Sequence, residues 1–532
     1  MSTLLVHTPA GDRRLSLLEG QSVRDALDLT DLRVRAACGG SGACGACQVV
    51  ALAGAVNPLT VAEYMKLDAD ERAAGVRLAC QLRPCGAAEI RLDDPAPPSQ
   101  WKSIPAEDLL PFAAARPDLE RHIYGVAVDL GTTHIRVALW DRKRGQRIAA
   151  RRGPNPQYVF GADVLNRLAA AHGRPERAGE MAQLARTAIV QAVRDILARD
   201  VGEVTPLLAQ IGRVLIVGNT AMLALLTGRG AEALVDPENW QRAIDCRCDD
   251  VAAWQAEWCM PNAEVTVAPA VAGFIGSDLI ADLIATRFTD GPAGSLLLDL
   301  GTNTEIALWD GRRLHLTSVP GGPAFEGVGI RNGMAAEAGA ICRVTHGDGG
   351  FEFSVIGGDA PRGYCGSGLV DAIALLRGAG TLKPSGRFAA PTAADGLRLD
   401  PAVPRSGITG GDVDAFQRAK AATGAAMAEL LAQAGMDWSD LRRLSVCGAF
   451  GRTLDIAHAQ QVGLLPPIDA ARIELAAEAT LSGCERALLA DAAADFDAVS
   501  AQAVTYNLSF LAGYEDRFID YLRLCPIPSV QC

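Results

Sequence analysis

The sequence predicts a multidomain α/β protein: a small N-terminal α/β unit, a stiff connector, and two similar α/β lobes. Three observations carry this prediction. Five cysteines fall in the first ninety residues, three of them within ten positions. Six prolines punctuate residues 95–117. A strand, an Asp-Leu-Gly-Thr turn and a second strand occur twice, near residues 125 and 295.

The chain has 532 residues, against roughly 150 per domain, so several cores are expected. With 49% hydrophobic and 21% charged residues, it is neither a disordered chain nor a small disulfide scaffold. A net charge of −12 disfavours nucleic-acid binding, which needs a basic face. The N-terminus places its basic residues after a short apolar run, unlike a secretory leader. The longest apolar stretch, Val265 to Ile284, is cut by Asp278 and Asp282. A cytoplasmic protein with no membrane partner is expected, in which cysteines serve as ligands or packing groups.

Residues 1–93 read as one unit. Thr3–His7 and Leu15–Leu18 form paired strands around a polar turn at Gly11–Arg14. Ser22 caps a helix running to Leu29, and Thr60 with Glu63 forms a capping box. Val76–Cys80 and Glu89–Leu92 close a mixed sheet. Residues 94–123 form a proline-rich linker, too stiff for a continuous sheet, with a short helix around Glu107 to Ala115. The lobes then follow as 124–206 and 207–532.

Cys38-Gly-Gly-Ser-Gly-Ala-Cys44-Gly-Ala-Cys47, with Cys80 inside Arg77-Leu-Ala-Cys-Gln81, supplies four thiols. A [2Fe–2S] cluster needs four thiolates, and the glycines let backbone N–H groups approach its sulfurs. A zinc ribbon would show two Cys-x-x-Cys pairs, and here there is one. Cys85 is the competitor to Cys80 for the fourth ligand. The loop resembles ferredoxin-type [2Fe–2S] domains, which have a β-grasp fold. Its first spacing of five residues matches the adrenodoxin-like branch.

The repeat aligns Gly125-Val-Ala-Val-Asp-Leu-Gly-Thr-Thr133 with Ser295-Leu-Leu-Leu-Asp-Leu-Gly-Thr302, each followed by Ala-Leu-Trp-Asp. Such turns present backbone N–H groups to phosphate oxygens. Gly131, Thr132 and Thr133 in one copy, and Gly301, Thr302 and Asn303 in the other, are phosphate-binding candidates. Asp129 and Asp299 sit where they can hold hydrated Mg²⁺. Gly448 and Gly451, after the strand-like run Leu444–Val446, suit close contact with adenosine. Gly366, Ser367 and Gly368 open a helix whose N-terminus favours anions. Asn219 follows the strand-like Arg213–Val217. Cys365 and Cys447 read as packing groups. Cys246, Cys248 and Cys259 lack a ligand quartet.

These motifs resemble the ASKHA superfamily of kinases, chaperones and actin, in which two ribonuclease-H-like lobes clamp ATP and Mg²⁺. The combined chain, with Asn155-Pro-Gln157, Gly161-Ala-Asp-Val164 and Gly322-Pro-Ala-Phe-Glu-Gly327, resembles the reductive activators of corrinoid-dependent methyltransferases. That resemblance implies one-electron reduction of a Co(II) corrinoid to Co(I), driven by ATP. It implies as partners a corrinoid protein or cobalamin-dependent methyltransferase and a low-potential electron donor, with a homodimer left open. Glu326 and Glu305 are the candidate general bases; Glu305 could instead face solvent, and Glu326 could only cap its loop. Competing readings are an ASKHA small-molecule kinase with a redox-sensing ferredoxin domain, an activator of another low-potential metalloenzyme such as a radical dehydratase, and a non-enzymatic redox-sensing module.

Overall fold

The computed structural model describes residues 2–18, 20–28, 30, 32–35, 40, 42, 45–95, 99–110, 123–161, 163–197, 204–321, 324–327, 329–347, 350–358, 360–393, 396–448, 450, 453–490 and 492–527. The chain divides into two compact units. The first comprises Met1–Val235, Asp245–Pro269 and Cys484–Ala492, and the second Asp236–Ile244, Ala270–Gly483 and Ala493–Cys532.

The first unit opens with β1 (Ser2–Thr8) and β2 (Gly11–Leu17). They pair antiparallel, with Ser2 opposite Leu17 and Thr8 opposite Gly11. The reversal therefore lies before the expected Gly11–Arg14 turn, which instead begins β2. The Thr8 hydroxyl is the reason: it accepts the Ala10 N–H and donates to the Gly11 carbonyl, a local hydroxyl turn. Next come α1 (Val23–Asp28), β3 (Gln48–Ala53), α2 (Val61–Lys66), α3 (Ala69–Ala73), β4 (Val76–Leu78) and β5 (Ala88–Arg91). The sheet order is β2-β1-β5-β3-β4, with β1 parallel to β5. It is the mixed sheet expected for a β-grasp domain. β5 alternates in and out, Ala88 and Ile90 buried and Glu89 and Arg91 exposed, as a sheet with one covered face requires. Leu4, Val6, Leu27, Val49 and Leu78 complete this core.

Both halves of the Thr60–Glu63 capping box are present at α2. Glu63 is fully buried and also receives Arg77, at 2.7 Å from Nε, and the Leu78 N–H at 3.1 Å. Burial works against its charge, but these donors outweigh it and hold the carboxyl below the usual carboxylate range.

The connector is more ordered than its prolines suggest. Trp101 is buried against Gly153, where a Cβ would come within 2.5 Å of the indole. β6 (Lys102–Ser103) pairs with Arg151 and Arg152 as an edge strand, a place where nearby prolines are tolerated. A 3₁₀ turn at Ala106–Asp108 stands where a helix from Glu107 was expected; residues 111–115 of that expectation lie outside the described ones.

The middle region contains β7 (Tyr124–Leu130), β8 (His134–Asp141), β9 (Gln146–Pro154), α4 (Val164–Ala171), α5 (Pro175–Leu197), β10 (Ile211–Gly218) and β11 (Glu264–Val267). The sheet runs β11-β10-β7-β8-β9-β6. α5 buries Met181, Ala185, Ala188, Ile189, Ala192 and Ile196, a stripe at helical spacing, and packs on β8 and β9.

The second unit repeats this pattern. β12 (Ser295–Leu300), β13 (Thr304–Trp309) and β14 (Leu314–Val319) form a meander. The strand Arg443–Gly448 runs parallel to β12, and Ile473–Ala476 parallel to that strand. Correspondingly, β10 runs parallel to β7, and β11 parallel to β10. The duplication legible at Asp-Leu-Gly-Thr thus extends to whole sheets. β12 is apolar along most of its length because both faces are covered. Among the described residues no helix is long and apolar enough to cross a membrane.

Replacing Glu63 by Ala strands Arg77 in a buried site, and should destabilise the N-terminal domain by about 3–5 kcal/mol. The pH dependence has a fixed sign. The folded value of Glu63 is depressed, so its contribution is complete above the unfolded value of about 4.3. It is lost as pH falls further, through the folded value. Denaturant unfolding at pH 7 and below pH 4 measures both; the variant should show the smaller loss on acidification.

Candidate functional site

Of the four predicted cluster ligands, Cys47 and Cys80 are described, and Cys38 and Cys44 lie outside the described residues. The Cys47 and Cys80 sulfurs are 3.4 Å apart, beyond the ~2.05 Å of a disulfide and close enough to share one metal ion. The neighbouring Cys80 sulfur, and then burial, push the Cys47 thiol up; a bound iron would take the proton's place. Cys85 is exposed.

The glycines around them form a cradle. Gly40, Gly42 and Gly45 all have positive φ. A Cβ at Gly42 would lie 2.7 Å from the Ala62 Cβ of α2, and one at Gly40 would lie 2.6 Å from Arg24 Nη1. The donor set and this close backbone approach fit an iron–sulfur cluster. Two further residues, invisible to motif reading, join it. Gln81 donates its amide to the Gly40 carbonyl at 3.2 Å and to the Cys80 sulfur at 3.5 Å. Arg24 donates its backbone N–H to the Ala79 carbonyl. Only the position of Gln81 beside Cys80 hinted at the first; nothing local signals the second.

The first phosphate-type turn gathers most of its predicted residues. The Gly131 N–H closes the turn on the His134 carbonyl at 3.0 Å. Asn219 donates to Thr132 Oγ1 at 3.0 Å while capping the helix Thr220–Thr227. Asn155, quoted above only as part of a motif, donates to the Gly131 carbonyl at 2.9 Å, and its own N–H donates to the Thr133 carbonyl. Arg136, directly across the ladder, pairs with Asp129 at 3.0 Å. Burial, with Arg136 and Arg152, pushes His134 down to about 3. The surroundings of this turn are cationic.

The second turn has the opposite character. Glu305 occupies the position across from Asp299. It is buried rather than solvent-facing, and burial with Asp278 and Asp299 pushes its carboxyl well up. Ser318 donates to it at 3.1 Å. Thr302 donates its hydroxyl to Glu326 at 3.0 Å, while the Gly301 N–H donates to the Asn303 carbonyl.

The other predicted loops converge here. Gly448 has φ +84, and a Cβ on it would lie 2.3 Å from Asp299 Oδ1. At Gly366 a Cβ would meet the Phe325 carbonyl at 2.3 Å and the Phe450 ring at 2.9 Å. Gly368 lies against the Ile341 carbonyl, and Ser367 bonds Thr453 at 3.0 Å and the Cys342 carbonyl at 2.9 Å. Gly451 lies outside the described residues. Nearby, Asp371, Asp455 and His458 have metal-like spacing, but Arg343 pairs with both aspartates, at 3.2 and 2.7 Å, so a cation already fills that space. Glycine turns and acidic residues around the buried Glu305 fit a nucleotide's phosphates and a divalent cation.

Three family models match the chain. They are the 2Fe-2S iron-sulfur cluster binding domain over residues 8–85, the RACo middle region over 124–290, and the C-terminal domain of RACo, the ASKHA domain, over 293–528. The corrinoid activation enzyme RamQ of Eubacterium limosum is 31% identical over 399 residues, 70% of this chain and 65% of that protein. The Co(II) methylated amine-specific corrinoid protein reductase of Methanosarcina barkeri is 27% identical over 385 residues, 65% of this chain and 66% of that one. The matched region thus spans just under two thirds of these relatives' lengths. A solved structure, a reductive activator for corrinoid, iron-sulfur protein, shares the fold across 100% of both chains, with a TM-score of 0.64 and 23% identity. A ferredoxin-type domain, a RACo middle region and a RACo ASKHA domain, in that order, make this chain a member of the RACo family.

Proposed function

We propose that this chain is an ATP-dependent reductive activator. It takes one electron from a low-potential donor and delivers it to the Co(II) corrinoid of a methyltransferase or corrinoid protein, giving Co(I). The observation that carries the reading is the presence, in one chain, of a thiol-lined glycine cradle and two Asp-Leu-Gly-Thr turns on matching sheets. The names of the two relatives support a corrinoid protein as partner.

In this reading Cys38, Cys44, Cys47 and Cys80 hold a [2Fe–2S] cluster, which supplies one-electron transfer. Gly131, Thr132, Thr133 and Asn219 at the first turn are assigned to phosphate binding, and so are Gly301, Thr302 and Asn303 at the second. Gly366, Ser367, Gly368, Gly448 and Gly451 let backbone approach the nucleotide. Mg²⁺ is assigned beside Asp299, where Asp278, Asp299 and the buried Glu305 gather acidic groups. Asp129, paired with Arg136, positions a guanidinium toward phosphate. Glu326, oriented by Thr302, is the candidate base for the attacking water. ATP is needed because each 100 mV of uphill electron transfer costs about 2.3 kcal/mol.

Asp299→Asn should lower ATP turnover by about 10–100-fold, the usual effect of disturbing a metal's surroundings. Gly448→Ala should do the same by a different route. At positive φ it adds roughly 1–3 kcal/mol of strain and pushes on the Asp299 carboxylate. Unfolding and ATPase assays on both variants separate the two effects, since Asp299→Asn adds no backbone strain. Unchanged turnover in both would make the second turn a structural hairpin.

Anaerobic spectroscopy with a reductant, ATP and a Co(II) corrinoid protein tests the activity itself. Co(I) should form only with all components, and Cys80→Ser should abolish it while ATP turnover survives, because the domains have separate cores. Equal Co(I) formation without ATP overturns the reading.

A further inference from the structure

Where the N-terminal domain meets the middle region, five charged side chains are buried together. Arg24 and Asp28 come from α1, Arg33 from the segment after it, Arg151 from β9, and Asp195 from α5. Arg24, Asp28, Arg33 and Arg151 are 2%, 3%, 4% and 1% exposed. The pairs run in a chain. Arg24 Nε is 3.6 Å from Asp28, Arg151 reaches Asp28 at 3.0 Å and Asp195 at 2.9 Å, and Arg33 also pairs with Asp195. Ser99 and Ser103 of the connector donate to Asp195 and accept from Arg151, each at 2.8 Å.

Three guanidiniums face two carboxylates, so the group carries an excess positive charge. A buried excess charge of this kind is costly unless something balances it. Arg151 and Arg33 have close carboxylate partners. Arg24 is the end member. Its contact with Asp28 is the longest of the set, and its buried Nε has no hydrogen-bond acceptor among the described residues. Its remaining bond is from Nη2 to the Ile196 carbonyl at 3.4 Å, in the last turn of α5. Asp25, on the exposed side of α1, adds a charge that solvent screens.

The other side of Arg24 faces the cysteine cradle. Gly40 is where a Cβ would strike Arg24 Nη1, and that same Cβ would lie 3.9 Å from the Cys80 Cβ. Four thiolates around two irons and two sulfides carry net negative charge, and one-electron reduction adds one more. That charge is the missing partner.

We infer that Arg24 is a positioning residue whose charge is balanced by the iron–sulfur cluster, so that the seating of the N-terminal domain on α5 is coupled to the presence and redox state of the cluster. Reduction strengthens the Arg24 contact and tightens the seat; loss of the cluster leaves Arg24 uncompensated and loosens it. Linkage is reciprocal: if reduction favours the seat, the seat favours reduction. The inference rests on the cluster reading above, so iron and sulfide content are measured first. A chain that takes up neither fails that earlier reading and not this one.

On the loaded full-length chain, Arg24→Met should make reduction about tenfold less favourable, about 59 mV lower for one electron. Arg24→Lys should recover part of that shift. A merely structural role would not move the potential of an intact cluster. The unmodified chain supplies a second measurement that needs no variant to fold. Amide hydrogen exchange over residues 190–197 should be slowest in the dithionite-reduced protein, intermediate when oxidised, and fastest after iron is stripped. Equal exchange in the three states overturns the coupling. Exchange that follows the cluster, with a potential unmoved in a loaded Arg24→Met, overturns the assignment to Arg24.

Discussion

The end of a buried central strand needs a parallel neighbour with no side chain, and both six-stranded sheets meet that need with glycine. Asp129 and Asp299 each end a central strand whose parallel neighbour finishes in glycine. At Gly218 a Cβ would lie 2.6 Å from the Leu130 carbonyl, and at Gly448 it would lie 2.3 Å from the Asp299 carboxylate. In register, Gly218 pairs with Leu130 and Gly448 with Leu300. A parallel neighbour cannot come from a hairpin; it must arrive by a crossover. The glycine is therefore far along the chain from the strand end it accommodates, with helices such as α5 and Gly366–Gly378 between them.

The duplicated turns share a backbone and differ in charge, and the difference is chemical. One residue fewer separates the second aspartate from the residue across the ladder, so Arg136 in the first copy becomes Glu305 in the second. A neutralised carboxylate with two arginines nearby favours an anion. The buried Glu305 beside Asp278 and Asp299 favours a cation, or else a proton, and its raised value is the proton's version of the same preference.

What the sequence made legible was local. Thr60 and Glu63 are three residues apart and cap their helix as their spacing predicts. The Asp-Leu-Gly-Thr turns are hairpins fixed by Gly131 and Gly301, and Asn219 could be picked out because it follows a strand and opens a helix. What stayed hidden depends on register or on distance along the chain. Arg136 touches Asp129 only because the ladder places them opposite each other. The burial of Glu305 follows from neighbours on other strands and helices. The two-residue strand β6 has no pattern of its own and exists because β9 offers an edge. Arg24 and its partner Ile196 lie 172 residues apart in sequence, and no composition or period links them.

The placement of β9 gives these separate features a common mechanical element. Arg151, on this strand, holds Asp28 of the N-terminal domain and Asp195 of α5. Asn155, immediately after it, holds the carbonyl of Gly131 in the first turn. A strand paired on both sides, to β8 and to β6, cannot shift alone without breaking ladder bonds. Movement at the first turn would therefore act on a stiff rod. The far end of that rod is an interface made of charges, where small displacements change energies steeply. Spatial continuity of this kind does not by itself establish coupling; a two-state element must respond to both ends. On the inference above, the ion-paired seat of the N-terminal domain is the candidate for such an element, because reduction of a cluster beside Arg24 would change its charge balance by one unit.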